Sequence, residues 1–404
     1  MSKFLTVGDV CNITTGSLDS NAFVENGKYP FYTCAKEPTN IDTYAFDDDV
    51  VLVAGNNAQG NFHVNRFKGK FNAYQRTYIL TSKGEKSIDY IYYLLSLALK
   101  LLKDKSQGSQ TKFLTIGILK EIHVPNLANS QIVAKVLSDL DTKIELNNRI
   151  NRELEAMAKT LYDYWFVQFD FPDANGKPYK SSGGKMVYNA ELKREIPEGW
   201  EVKTLLYIAT YTNGLACQKF RPTNEDFLPV IKIREMRDGI NENTEKVRAD
   251  IPEKLKVFNG DVLFSWSASL EVIIWTGGKG GLNQHIFKVT SKKYPRSFYY
   301  FQLIWYLQHF KMIAELRKTT MGHITQDHLK QSRIVVPPID IVKNLDKQLK
   351  PVQEKQILIN RQNQHLTALR DWLLPMLMNG QVTVKEAEER LSMAAEPSVE
   401  YKKG

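Results

Sequence analysis

Asn148-Arg149-Ile150-Asn151-Arg152-Glu153-Leu154 returns 212 positions later as Asn360-Arg361-Gln362-Asn363-Gln364-His365-Leu366, and Leu161 is matched at the same distance by Leu373. Both stretches lie inside long polar segments with helical periodicity. In the first, Leu140, Ile144, Asn147, Asn151, Leu154, Ala158, Leu161 and Trp165 alternate steps of four and three, which sets them on one stripe of a helix. Val352, Gln356, Ile359, Asn363, Leu366, Arg370, Leu373 and Leu377 form a second stripe of the same kind. The first is apolar at both ends and polar in the middle, and buried polar residues in such a seam lower stability while fixing register. The two helices are expected to pair along these stripes. The simpler alternative is that each packs only on its own domain.

A helix from Ser130 to Trp165 would be ~54 Å long at ~1.5 Å per residue, longer than a small domain is wide. Pro351 stands where the first helix has Asp139. Because proline lacks the amide hydrogen of a helix interior, the second helix is expected to start or bend there.

The repeat reaches outward from the helices. Asp49-Val50-Val51-Leu52 aligns with Asp261-Val262-Leu263-Phe264 at 212, and Thr115, Leu119 and Lys120 with Thr325, Leu329 and Lys330 at 210. Pro125 and Pro337 restore the spacing of 212. A collinear series of this kind implies a duplicated unit, a globular domain followed by a helix. Short β-branched or aromatic runs at Val50 to Ala54, Tyr78 to Thr81, Leu228 to Ile233, Val262 to Trp266 and Ile286 to Val289 read as strands. Ile88 to Lys103 and Ser297 to Leu316 read as helices, so each domain is mixed.

At 404 residues the chain is too long for one ordinary core. Its three scattered cysteines, Cys11, Cys34 and Cys217, exclude a disulfide framework and a cysteine-rich metal site. The first residues show no signal-peptide pattern and no run is apolar enough to span a bilayer, so a cytoplasmic protein is expected. The net charge is +9, and because Ser130 to Trp165 carries five Lys/Arg against six Asp/Glu, the rest of the chain carries +10. An excess of that size suits a polyanionic partner such as nucleic acid, and on charge alone it suits a generally basic soluble protein as well.

Three further segments carry a family resemblance. Ile196-Pro197-Glu198-Gly199-Trp200, the helix end Leu161-Tyr162-Asp163-Tyr164-Trp165-Phe166-Val167 with Phe169-Asp170-Phe171-Pro172, and Leu373-Leu374-Pro375-Met376-Leu377-Met378-Asn379-Gly380 resemble the specificity subunits of type I restriction-modification systems. The resemblance covers nearly the whole chain. It departs at the helix entries: the family's Glu-Gln-Ile is Ser130-Gln131-Ile132 in the first copy, and the second, Pro337-Pro338-Ile339-Asp340, lacks the Gln.

The resemblance implies an α+β fold with two similar mixed α/β target recognition domains, separated by two long helices that form an antiparallel coiled coil with a pseudo-twofold repeat. The domains would span 1–127 and 196–337, with helices at 128–170 and 338–380, the latter mainly from about 351. A Gly/Ser-rich linker at 171–195 and a tail at 381–404 would complete the chain. It further implies that double-stranded DNA is read as a bipartite asymmetric target, one half-site per domain, with the helix pair setting the spacer. Methyltransferase subunits, a pair of them, and translocase-nuclease restriction subunits would supply the chemistry with S-adenosylmethionine, ATP and magnesium. The chain itself would be non-catalytic and bind no cofactor.

Candidate DNA-reading residues follow from side-chain chemistry, since Asn, Gln and Arg present paired hydrogen-bonding groups to base edges and Lys and Arg clamp phosphates. In the first domain these are Asn56, Asn57, Gln59, Asn61, Asn72, Gln75 and Arg76; in the second, Lys219, Arg221, Lys232, Arg234, Arg237, Ser265, Ser267, Asn283, Gln284 and His285. Tyr162, Tyr164, Trp165, Phe166 and Leu377 are candidates for partner docking.

Enzymatic readings are weaker. No GxxxxGK[ST] or strand-linked GxGxxG run is present, and Pro337-Pro338 follows Val336 rather than the Asn or Asp of an adenine methyltransferase motif. Asp173, Glu191 and Lys193 offer the elements of a metal-dependent nuclease. A two-domain protein scaffold without DNA readout is the other alternative.

Overall fold

The computed structural model describes residues 5–57, 62–84, 86–105, 112–125, 127, 129–267, 269–316 and 324–387. The chain forms two compact units, residues 1–145 with 365–404, and residues 146–364. Each therefore takes part of both long helices, Ser130–Phe166 and Ile339–Met378. This differs from the linear division expected from sequence, and packing explains why.

In the first unit, a six-stranded sheet has the order Cys11–Thr15, Thr77–Ser82, Phe46–Ala54, Val64–Ala73, Tyr29–Tyr32, Thr39–Ile41. Alternation along Phe46–Ala54 sends Val51 and Val53 to one face and Val50 and Leu52 to the other. Val51, Val53 and Leu80 join Ile91 and Leu95 of helix Ile88–Lys105 in the main core. The same core takes Leu137 and Leu140 from the first long helix and Leu366, Leu373 and Leu377 from the second. Val50, Leu52, Phe71 and Ile79 pack in a smaller cluster on the opposite face.

Asp141 ties these parts together. It accepts hydrogen bonds from Tyr93 Oη at 2.6 Å and from Arg370 Nη1 at 2.7 Å. Burial alone would lower the Arg370 pKa, but the bonds to Asp141 and Asp371 hold it above the ordinary value.

The second unit repeats this plan with its sheet divided in two. One part orders Thr210–Asn213, Ile286–Thr290, Val262–Ser265, Glu271–Ile274, and the other Lys246–Arg248, Phe227–Ile231, Gly280–Leu282, Lys256–Val257. Val262, Phe264 and Val289 pack with Phe298, Phe301 and Phe310 of helix Arg296–Leu316. Tyr162, Trp165 and Phe166 of the first long helix and Val342, Leu345 and Leu349 of the second share that core. Both helices are thus packed on a domain and on each other.

Strand pairing corrects the repeat by one residue. Val51 pairs with Leu80 and Val262 with Val289, so Val51, not Val50, is the counterpart of Val262. A shift of one residue exchanges the faces of a strand, and only this alignment sends Val51 and Val262 alike into the main core.

The second long helix begins at Ile339, directly after Pro337-Pro338, and continues through Pro351. Proline is well suited to a helix start, where its missing N–H has no intrahelical acceptor. Pro351 removes one interior hydrogen bond, but Val342, Leu345 and Leu349 before it and Ile359 after it are buried, and that packing holds the helix together. Residues 171–195, expected as a linker, are also folded. Met186–Asn189 and Arg194–Pro197 form an antiparallel hairpin, Phe171 stacks between Tyr179 and Trp200, and Ser181 donates through N and Oγ to Asp170.

The stripes read from sequence are the contact faces of the helices. Leu140, Asn147, Ala158 and Trp165 are buried on one, and Ile359, Leu366, Leu373 and Leu377 on the other. Ile144, Asn151, Leu154, Leu161 and Val352 are half-buried. Within residues 146–364 the helices run antiparallel. Asn363 Nδ2 donates to Asn148 Oδ1 at 2.8 Å, and Asn151 Nδ2 donates to Asn360 Oδ1 at 2.6 Å. The repeat maps Asn148 onto Asn360 and Asn151 onto Asn363, so it exchanges these two bonds, donor for donor. That is the mark of an isologous twofold contact inside one chain.

One member breaks the symmetry. Asn147 Nδ2 donates to Asn363 Oδ1 at 2.8 Å and to Gln362 Oε1 at 3.0 Å. Its counterpart in the second helix is Ile359, which has no donor. Asn151 Oδ1, the image of Asn363 Oδ1, is accordingly buried without a hydrogen-bond partner.

Candidate nucleic-acid interface

Each domain holds one tight turn by the same set of backbone bonds. In the first, strand Val64–Ala73 ends at a turn closed by Thr77 N donating to Tyr74 O at 2.9 Å. Gln75 N donates to Leu18 O, Gly16 N to Thr77 O, Gly55 N to Arg76 O, and Leu114 N to Gly55 O. In the second domain the closing bond runs from Ile286 N to Asn283 O at 3.1 Å. Around it, Gln284 N donates to Leu215 O, Gly214 N to Ile286 O, Trp266 N to His285 O, and Ile324 N to Trp266 O.

Glycine is required where the chain passes closest to each turn. A Cβ on Gly16 would lie 2.0 Å from Ala73 O, and one on Gly214 would lie 2.2 Å from Asn283 O. With its backbone held on three sides, each turn offers two side chains at its tip: Gln75-Arg76 in the first domain and Gln284-His285 in the second.

These tips separate the sequence candidates. Gln75 and Arg76 are exposed, and the Arg76 guanidinium sits 5.9 Å from the centre of the Phe113 ring, itself 56 % exposed. Gln284 and His285 are half-buried, their Nε2 atoms 3.2 Å apart, with His285 against Trp266. Asn56, beside the first tip, is half-buried. Asn57 lies in a two-residue strand paired with Lys112, and Gln59 and Asn61 lie outside the described residues.

Four candidates are buried parts of the framework instead. Asn72 accepts from Ala73 N through Oδ1 at 3.0 Å. Ser265 Oγ accepts from Glu271 N at 2.9 Å and donates to Ser269 O, closing a hairpin. Asn283 Oδ1 accepts from His285 N at 3.2 Å. Ser267, 4 % exposed, is the counterpart of the half-buried Asn56, so the two domains differ in side chain and exposure at that place. Short polar side chains at strand ends satisfy backbone groups that the ladder leaves unpaired.

The basic stretch of the second domain also divides. Lys219 and Arg221 are exposed, with no ion-pair partner among the described residues. Lys232 pairs with Glu245, whose carboxyl that bond holds below its ordinary pKa. Arg237 pairs with Glu271. Arg234 donates through Nε and Nη2 to Oε1 of Glu235, a carboxylate 1 % exposed, and through Nη2 to Asn243 O. The hydrogen bond to Glu235 holds the Arg234 pKa above its ordinary value. These three cations belong to the short helix Ile233–Asp238 and its N-cap Lys232, which follow strand Phe227–Ile231.

The proposed docking aromatics belong to the core. Tyr162 stacks on Phe301, and Phe166 meets Trp200 and Phe298 edge-on. Trp165 is buried and Tyr164 half-buried against the same core, and Leu377 is buried in the core of the first unit. Sequence reasoning assigned them to a surface because their partners, Trp200, Phe298 and Phe301, come from beyond the intervening hairpin. In the nuclease alternative, Asp173 Oδ1 caps a turn by accepting from Asn175 N and Lys177 N, and Glu191 pairs with Arg333. Among the described residues no three His, Cys, Asp or Glu side chains converge as metal ligands, and no helix is long and apolar enough to cross a membrane.

Sequence reasoning missed the clamps at Gly16, Leu18, Gly214 and Leu215 and the ring of Phe113. A usable signal exists: Thr14-Thr15-Gly16 matches Thr212-Asn213-Gly214 at 198, and Pro30 matches Pro229 at 199.

A duplicated sheet-and-turn framework, twice completed by parts of a helix pair, defines a two-domain protein of the specificity-subunit kind. The sequence profile of the type I restriction modification DNA specificity domain matches residues 2–156 and 197–368, and the chain belongs to that family. Over 145 residues it is 35% identical to the specificity subunit of the type I restriction enzyme EcoDI of Escherichia coli, a match spanning 35% of this chain and only 32% of that protein. It is 27% identical over 313 residues to the MjaIX specificity subunit of Methanocaldococcus jannaschii, covering 74% of this chain and 70% of that one. The crystal structure of an S subunit of a type I restriction-modification system from M. genitalium shares its fold, with a TM-score of 0.57 at 14% identity over 92% of this chain and 94% of the other.

Proposed function

We propose that this chain is the DNA-recognition subunit of a type I restriction-modification complex, with each domain reading one half of a bipartite asymmetric target and the length of the helix pair setting the unread spacer. The observation that carries this reading is the repeated turn: one backbone clamp occurs twice and presents different side chains, Gln75-Arg76 and Gln284-His285. Base readout needs side chains held in fixed register against a groove, and two clamped tips with different chemistry suit two different half-sites. The exposed cations Lys219 and Arg221 suit phosphate contact.

The mirrored asparagine bonds support the helix pair as a fixed-register element. On this proposal adenine methylation with S-adenosylmethionine and ATP-dependent cleavage with magnesium belong to methyltransferase and restriction subunits that assemble with the chain. The test is to express the chain with its methyltransferase subunits and map methylated bases across a genome. The expected result is one motif of two short specified blocks with an unspecified gap of fixed length. A single contiguous motif, or no methylation dependent on this chain, would overturn the reading.

A further inference from the structure

We infer that Arg76 and His285 are equivalent specificity positions, and that Arg76 selects a guanine in the half-site read by the first domain. The inference rests on the DNA-reading proposal and narrows it to one residue pair. Five backbone bonds superpose the two turns, so Gln75 corresponds to Gln284 and Arg76 to His285. Gln is common to both tips; only the second position differs in chemistry.

Arg76 is built for base reading in three respects. Its carbonyl accepts the Gly55 amide at 2.8 Å, which fixes the direction in which the side chain leaves the turn. The guanidinium is exposed, with no carboxylate partner among the described residues, and it faces the Phe113 ring at 5.9 Å, so a flat aromatic surface backs it. A planar fork of donors matches O6 and N7 of guanine in the major groove, and one such bidentate pair discriminates against other bases by ~1–3 kcal/mol. Lys232, Arg234 and Arg237, by contrast, are each held by a carboxylate.

His285 cannot reproduce this. Its Nδ1 is buried with no hydrogen-bond partner, and its Nε2 lies against the Gln284 amide. The second tip therefore lacks a free two-pronged donor, and the half-site it reads carries no equivalent guanine requirement.

The test compares methylation motifs of the complete methyltransferase complex carrying wild-type chain, Arg76→Ala or Arg76→Lys. The expected result is that one guanine in one half-site becomes degenerate in Arg76→Ala, with the other half-site and the gap unchanged. Arg76→Lys, which keeps the charge but not the fork, should relax the same position. Unchanged motifs in both variants would overturn the inference, as would a uniform loss of methylation with no change of motif, the signature of a phosphate contact. A wild-type complex that gives no bipartite motif would instead refute the underlying DNA-reading proposal.

Discussion

Replacing the asparagines of the helix pair tests whether the twofold repeat is energetic as well as geometric. The bond from Asn363 to Asn148 and the bond from Asn151 to Asn360 exchange under the repeat. A hydrogen bond of this kind contributes ~1 kcal/mol net, so double-alanine cycles on the two pairs should give coupling energies of ~0.5–1.5 kcal/mol that agree within ~0.5. The single substitutions should not agree. Asn363→Ala also removes the acceptor of the buried Asn147 and should cost ~2 kcal/mol, whereas Asn151→Ala deletes an oxygen that already lacks a partner and should cost ~1 kcal/mol or less. Five of the six tryptophans, at 165, 200, 266, 275 and 305, lie in residues 146–364, so fluorescence-monitored urea unfolding reports on the unit that contains the bonds. With m of ~1–3 kcal/mol/M, a cost of 1 kcal/mol moves the midpoint by ~0.3–1 M. Couplings below ~0.3 kcal/mol in both cycles, or equal costs for Asn151→Ala and Asn363→Ala, would refute the symmetric-ladder reasoning.

Three further outcomes follow from single sites. Arg221→Ala should weaken duplex binding and reduce the slope of log K against log salt by ~1, while Arg234→Ala should lower the thermal midpoint by removing the cation paired with buried Glu235 and leave that slope unchanged; titrations at several salt concentrations, with melting curves, separate the two. Pro351→Ala should stabilise the chain by ~1–3 kcal/mol, because the helix gains a hydrogen bond at an exposed position, and a lowered unfolding midpoint would count against it. Asp170 is held below its ordinary pKa of 3.8 by hydrogen bonds from the Ser181 side chain and backbone. A lowered folded pKa gives stability that is present above 3.8 and lost as pH falls through the folded value. Asp170→Asn should therefore melt lower than wild type at pH 7, with the gap closing below pH 3.8; a gap independent of pH would contradict this.

The helix pair was legible because its signal is local. Steps of three and four place Leu140, Asn147, Leu366 and Leu373 on contact faces whatever the domains do, and the matched asparagines point to paired polar centres. The sheets were harder to read. The spacing between the two copies is 199 at Pro30, 211 at Val51 and 209 at Thr77, because insertions fall between strands and Val64–Ala73 is one strand where the second domain has Glu271–Ile274 and Gly280–Leu282. A constant offset could not follow those changes and slipped by one residue, enough to reverse the face of a strand. Composition likewise could not distinguish Asn72 or Ser265 from Gln75, since the same polar atoms serve a ladder end or a ligand. Only burial tells them apart.

The two copies diverge where function on an asymmetric target would require it. A pair of identical domains related by a twofold axis would present identical tips and select a palindrome, as symmetric dimers do. Here the clamps are preserved down to the glycine that lets the chain pass, while the tip changes from Arg76 to His285 and the flanking position from half-buried Asn56 to buried Ser267. In the helices the asparagine bonds are preserved, and the exchange of Asn147 for Ile359 leaves one unpaired oxygen. On the proposed DNA-reading function, stability rests on the shared framework and discrimination on the tip residues, so exchanging tip residues between the domains should alter what each reads at little cost in folding.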